Sequence, residues 1–171
     1  WRNRVGHETA QKITTRASIR GTKFHNMMEK YLRNDNTLFE NVMPDMKQAF
    51  HDAKNVVDKI DNIHYIESPL YSLQLGVAGR TDCIAEFDGK LSIIDFKTST
   101  KVKREEWIEN YFEQGRAYAL MYEERTNTPI DQVVIIISVD GETEPQLFIK
   151  QKVHYIDSLM TKIHTYNKEH R

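Results

Sequence analysis

The chain has 171 residues, 39% of them hydrophobic and 29% charged, with a formal net charge of −1. That length and balance suit one compact domain, residues 1–171, with a sizeable core, and they exclude a disordered chain. No run approaches the roughly eighteen apolar residues of a spanning helix, which excludes a helical membrane protein. A single cysteine, Cys83, excludes an internal disulfide framework and any iron–sulfur cluster held by this chain alone, and it fits a reducing compartment. No signal peptide is visible: Trp1-Arg2-Asn3-Arg4 opens a polar, helix-like segment. The start without Met reads as a trimmed or fragmentary N-terminus.

The near-neutral total hides an asymmetry. Arg2, Arg4, Lys12, Arg16, Arg20, Lys23, Lys30 and Arg33 face only Glu8 and Glu29 in the first 33 residues, and acids dominate the stretch that follows. A second basic group, Lys97, Lys101, Lys103 and Arg104, has no acid among residues 96–104. A neutral protein that binds nucleic acid often carries such a stripe, although a solvated helix face gives the same counts.

In chain order, Phe24, Met27, Met28, Tyr31 and Leu32 recur at helical spacing, predicting a helix around Ser18 to Arg33 that starts near Gly21-Thr22. Met43, Met46, Phe50, Ala53, Val57 and Ile60 predict a second amphipathic helix, with Pro44 in its first turn. Ile66 to Gly76, Gly79 to Phe87 and Lys90 to Phe96 then read as strands, and Asp88-Gly89 is a strong hairpin signal. A helix from about Arg104 to Arg125 leads to the apolar, β-branched strand Val133 to Ser138. Asp140-Gly141 turns the chain into a strand over Gln146 to Lys150, and a last helix is expected from about Tyr155 to Lys168. Helices, a meander, a helix, two strands and a helix make a mixed α/β layered domain.

Chemistry concentrates around the predicted hairpin. If Asp88-Gly89 closes it, Asp82 near the start of one strand and Asp95 near the end of the next meet at one sheet edge. Two such carboxylates repel unless a cation lies between them, and oxygen ligands of this kind suit Mg²⁺ or Mn²⁺. Lys97, two residues beyond Asp95, shares its face and can neutralise charge on a phosphate. An isolated Asp-x-Lys is far more often an exposed strand end, so its surroundings decide. His25 lies beside the Phe24/Met28 surface, either packed there or as a ligand. Glu67, before Pro69, is a further oxygen donor or a surface glutamate. Gln114 and Tyr118 share one helix face, with Tyr111 three residues earlier, fit either for phosphate and base contacts or for core packing. Thr98, Ser99, Lys101 and Lys103 continue from Lys97 as a backbone track or a polar loop.

The set Gly21-Thr22-x-x-His25, Glu67, Gly79-x-x-Asp82, Asp95-x-Lys97 and Gln114-x-x-x-Tyr118 resembles the RecB/Cas4-type branch of the PD-(D/E)XK nuclease superfamily. Within that branch the cluster-free phage exonucleases and the mitochondrial genome maintenance exonucleases are the most similar. The resemblance implies a restriction-endonuclease-like core, with a mixed central β-sheet and flanking helices. It implies Mg²⁺ or Mn²⁺ held by His25, Asp82 and Asp95, with Glu67 supporting the metal or its water and no iron–sulfur cluster. Lys97 would position the nucleophile, with Asp95, Asp82 and Glu67 completing the catalytic set. Gln114, Tyr118, Tyr111, Thr98, Ser99, Lys101, Lys103 and Arg20 would bind substrate. The implied reaction is in-line hydrolysis of a DNA phosphodiester by metal-activated water, from an end of single-stranded DNA. Replication or recombination proteins are the implied partners, without a membrane. The implied compartment is intracellular: a bacterial or phage-infected cytoplasm, or the mitochondrial matrix if a targeting segment was removed. A restriction-like or structure-selective endonuclease on the same core is the competing reading, and a non-catalytic DNA-binding module the alternative of another class.

Overall fold

A computed structural model describes residues 2–151. The elements are helices α1 (Arg2–Val5), α2 (His7–Leu32) and α3 (Pro44–Val57), then strands β1 (Ile60–Ser72), β2 (Val77–Phe87) and β3 (Lys90–Ser99). A 3₁₀ turn (Glu105–Trp107), helix α4 (Glu109–Thr126) and strands β4 (Gln132–Val139) and β5 (Gln146–Gln151) follow. The five strands form one sheet in the order β1-β2-β3-β4-β5. All neighbours are antiparallel except β3 and β4, which run parallel and are joined through α4. The sheet is therefore mixed, as expected.

Each face of the sheet carries its own core. Phe24 and Met28 of α2 and Phe50, Ala53 and Val57 of α3 pack on Phe87, Ile94, Phe96, Val134 and Ile136. Ile108, Phe112 and Ala119 pack on Ile93, Ile135 and Ile137 from the other side. Strand side chains alternate between faces, so neighbouring isoleucines such as Ile93 and Ile94 serve opposite layers. Every residue of β4 is buried, which is why it reads as a continuous apolar run. Its one buried amide, Gln132, is satisfied by donating to the Phe87 carbonyl (3.0 Å) and to Ser92 Oγ (3.1 Å).

Local chemistry explains the turns. Asp88 and Gly89 have φ of 49° and 75°, the two positive values that a type I′ hairpin turn needs. Pro44 opens α3, and Asn127 in the left-handed region (φ 57°) closes α4.

The structure moves several expected boundaries. Helix α2 begins at His7 instead of near Gly21, because its first half is a mostly exposed polar helix without an apolar stripe. Gly21 lies where α2 passes over β3, since a Cβ there would sit 3.5 Å from Thr98 Oγ1. Ile60 belongs to β1 and not to α3, and β1 starts six residues before the expected Ile66. The helix expected from Arg104 is broken at Ile108, whose φ of −119° separates the 3₁₀ turn from α4. The helix expected over residues 155–168 lies outside the described residues. Among the described residues, no helix is long and apolar enough to cross a membrane.

Candidate active site

The site begins where the sheet divides. The β2/β3 ladder runs from Phe87↔Lys90 to Cys83↔Ile94 and stops there. Beyond that point β3 stays paired with β4 as far as Ser99, and β2 with β1 as far as Val77. The fork leaves the Phe96 N–H without a strand partner, and it donates to Asp82 Oδ2 at 2.8 Å. Asp82 thus caps the ladder with its side chain, opposite Asp95 and one step beyond the last pair Cys83↔Ile94, the arrangement expected from the hairpin.

Asp95 is 6% exposed and faces Lys97. Lys97 Nζ donates to Asp95 Oδ1 at 2.8 Å, and it lies 5.3 Å from the centre of the Tyr111 ring. Burial, then the charge of Asp82, push the Asp95 carboxyl up to about 6 against the opposing pull of Lys97. Burial works against the Lys97 ammonium, yet Asp95 beside it holds the lysine above its ordinary value.

A second group gathers across the fork from three elements. Ligand atoms of His25 on α2, Glu67 on β1 and Asp82 on β2 all lie within 4.8 Å of one another. His25 Nδ1 is 3.4 Å from Asp82 Oδ1, and the Asp82 hydrogen bond raises the imidazole above its usual value although burial opposes this. Glu67 has a φ of 52° inside β1, a conformation disfavoured for a residue with a side chain. Its carbonyl accepts from Arg80 Nε at 3.2 Å, and the same nitrogen is 3.5 Å from Glu67 Oε2. Burial, followed by the charges of Asp82 and Glu29, lifts the Glu67 carboxyl above its ordinary range. Asp95 falls outside the group of three.

His25, Glu67, Asp82 and Lys97 open into one cleft of about 520 Å³, also lined by Thr22, Asn26, Glu29, Arg80 and Thr98, with Asp95 paired to Lys97 beneath it. The donor set fits a divalent cation. Burial, with the charge of Asp82 added to it, raises both the Glu67 and the Asp95 carboxyls. Asp95 Oδ2 is buried and accepts no hydrogen bond from the described residues, although Lys97 Nζ lies 2.7 Å away. Carboxylate oxygens with one imidazole suit Mg²⁺ or Mn²⁺.

On the α4 side, Gln114 Nε2 donates to Tyr118 Oη at 3.0 Å. The Tyr118 ring lies against the bare backbone of Gly79, where a Cβ would come within 2.5 Å of its Cε1. Glycine at this position thus serves close packing. Gly79→Ala should displace the ring, break its hydrogen bond to Gln114 and cost about 1–3 kcal/mol. Thermal denaturation checks the loss, and Gly79→Ala/Tyr118→Ala should recover part of it.

The remaining expected residues are spread out. Thr98 lines the cleft. The Ser99 hydroxyl instead closes its own loop, donating to the Lys101 carbonyl at 2.6 Å. The Lys103 backbone is held on both sides by Gln146, through its N–H at 2.7 Å and its carbonyl at 2.8 Å, and Lys101 is exposed. Arg20 is taken up by Asp140 (2.7 Å) and by Ser138 at the end of β4, tying α2 to the sheet. Sequence reasoning does not single out Glu29 and Arg80. Glu29 follows His25 by one helical turn, and Arg80 adjoins Gly79, so helical spacing and position within the motif are the available signals.

A profile of the PD-(D/E)XK nuclease superfamily matches residues 2–168. Mitochondrial genome maintenance exonuclease 1 of Homo sapiens is 29% identical over 108 residues, covering 60% of this chain and 31% of that protein. The Mus musculus protein of the same name is 27% identical over 107 residues, covering 60% and 32%. That of Xenopus tropicalis is 26% identical over 125 residues, covering 68% and 35%. The match thus spans about a third of the length of these relatives. With the fork of β2 and β3, its carboxylates and its lysine in place, the match over nearly the whole chain identifies the family: the chain belongs to the PD-(D/E)XK nuclease superfamily.

Proposed function

We propose that this chain hydrolyses DNA phosphodiester bonds, acting from the ends of single strands, with Mg²⁺ or Mn²⁺ as cofactor. The observation that carries the reading is the convergence of His25, Glu67, Asp82 and Lys97 on a cleft at the place where the sheet divides, with Asp95 paired to Lys97. His25, Asp82 and Asp95 would hold the cation, with Glu67 as a further ligand or support. When bound, such an ion supplies Lewis acidity toward a phosphate oxygen and lowers the pKa of nearby water. Lys97 adds a positive charge next to the scissile phosphate and donates hydrogen bonds to oxygens there. Gln114, Tyr118 and Tyr111 back Lys97 and orient the strand, Thr98 contacts phosphate, and Lys101 and Lys103 attract the DNA backbone. A DNA-containing intracellular compartment, with replication or recombination proteins as partners, belongs to the same proposal.

Metal binding tests the ligand set without reference to turnover. Mn²⁺ at about 100 times its dissociation constant should stabilise the wild type by about 2.7 kcal/mol, reversibly with EDTA. Asp82→Asn should lose most of that gain. An equal gain in both proteins would show that the cation binds elsewhere.

Charge reversal at Lys101 and Lys103 should weaken binding of single-stranded DNA and flatten its dependence on salt, by about 0.7 in log–log slope for each phosphate that is no longer neutralised. An unchanged slope, measured by fluorescence anisotropy across a salt series, would assign these lysines to solvated surface.

A further inference from the structure

Strand β1 delivers side chains to two places. Glu67 turns into the cleft, while Tyr65 and the next residues, Ser68 and Pro69, line a separate pocket of about 240 Å³ toward α4. Tyr122 and Arg125 of α4 complete its chemistry. Tyr65 is 47% exposed, and its ring meets the buried Tyr122 edge-on at 6.0 Å between centres. Tyr122 is fixed in turn, its hydroxyl lying 3.1 Å from His64 Nδ1. At the rim, the Arg125 guanidinium lies 4.1 Å from the ring centre of Tyr71, itself 45% exposed. Among the described residues, no acidic side chain lines the pocket. The neighbouring Glu124 is turned away, accepting from the backbone N–H groups of Leu73 (3.1 Å) and Gln74 (3.5 Å).

Scattered exposed tyrosines on an edge strand are ordinary. Here a braced, half-exposed ring, a concave wall and a cation stand together without a competing carboxylate in the pocket wall. That combination suits a planar base with a phosphate attached, since rings stack on bases regardless of sequence and guanidinium groups pair with phosphate. Glu67 and Ser68 are consecutive residues of β1, the edge strand, so the cleft on the α2 side and the pocket on the α4 side lie on opposite faces of the sheet at its edge.

We propose that this pocket is a second nucleotide subsite, seating one unpaired base of a single DNA strand that passes around the β1 edge on its way to the cleft. The proposal rests on the nuclease reading above. It adds a reason for a preference for single strands, since a base held in Watson–Crick pairing cannot enter.

The test uses single-stranded oligodeoxynucleotides with 2-aminopurine placed at successive positions from one end, bound to the full chain in EDTA. Wild type should quench the probe at one or two adjacent positions. Tyr65→Leu and Arg125→Gln should each weaken binding about tenfold and abolish that quenching, while Tyr65→Phe, which keeps the ring, should behave as wild type. In Mg²⁺ the same two variants should raise KM and leave kcat close to wild type. Both side chains are at the surface, and unchanged melting temperatures would confirm that the fold is intact. If wild type cleaves while Tyr65→Leu and Arg125→Gln match it in affinity, quenching and KM, the subsite is wrong and the nuclease reading stands. If wild type binds single strands and quenches the probe but never cleaves, the subsite stands and the nuclease reading fails. If wild type neither binds nor cleaves, both fall together.

Discussion

Lys97→Ala is expected to reduce phosphodiester cleavage by at least about 10³-fold while single-stranded DNA still binds. Lys97 is the only cation in direct contact with the buried Asp95 among the described residues, and it lines the cleft itself. Under the proposed function, its loss removes the group that would offset charge developing on the phosphate. Asp95→Asn should inactivate to a similar degree, but the two variants should separate in stability. The Asp95 carboxyl is raised to about 6 by burial and by Asp82, so its ionised form opposes folding in the metal-free protein. The sign follows from a folded pKa above the unfolded one. The cost is absent below the ordinary carboxylate range, grows as pH rises and is fully present above about 6. In EDTA, the change in stability between pH 4 and pH 8 should therefore shrink in Asp95→Asn, which lacks the carboxyl that is raised to about 6. Lys97→Ala should destabilise the protein at pH 8, because a buried carboxylate is left unpaired. Denaturant midpoints at the two pH values measure both. Retained cleavage in Asp95→Asn would remove that carboxylate from the site.

The second large effect lies in the packing that holds α4 over the sheet. A Cβ on Gly115 would come within 2.4 Å of Val133 Cγ1, closer than any real contact. Val133 sits in a strand that is buried along its whole length, so it has little freedom to retreat. Alanine normally favours a helix interior over glycine by about 1 kcal/mol. Here overpacking should outweigh that gain, with a net loss of about 1–3 kcal/mol in Gly115→Ala. Gly115→Ala/Val133→Ala should show favourable coupling of at least about 1 kcal/mol, because truncation opens the space the new methyl needs. Independent effects of the two substitutions would mean that α4 shifts as a body. The same helix carries Gln114 and Tyr118, so a shift would also appear as a raised KM.

What was legible in the sequence was local. Asp88-Gly89 encodes its turn through two residues that tolerate positive φ, and the pairing of Asp82 with Asp95 at the fork follows by counting back along the hairpin. The β-branched run of β4 and the apolar stripe of α3 were readable for the same reason, since each pattern reflects one buried face. Contacts between distant elements were not readable from spacing. The approach of His25 to Asp82 was anticipated through the family resemblance, because nothing in a helical stripe says which strand it will cross. The start of α2 escaped because Ala10 is its one buried residue before Phe24, leaving no periodicity to detect. The left-handed backbone at Glu67 carries no glycine or asparagine as a signal, so the turn of that carboxylate into the cleft emerges only from the fold.

The central claim is that the fork of β2 and β3 is a metal-dependent nuclease site acting on single-strand ends. Its most direct test incubates 5′- and 3′-labelled single-stranded DNA, linear and circular, with the protein in Mg²⁺, in Mn²⁺ and in EDTA, beside Lys97→Ala prepared identically. Metal-dependent loss of the linear strand, with the circle spared and Lys97→Ala inert, is the predicted result, and the labels then give the polarity. Cutting of the circle would contradict action from ends and replace it with an endonuclease on the same core. Binding of both substrates without cleavage in either metal would contradict the catalytic reading altogether.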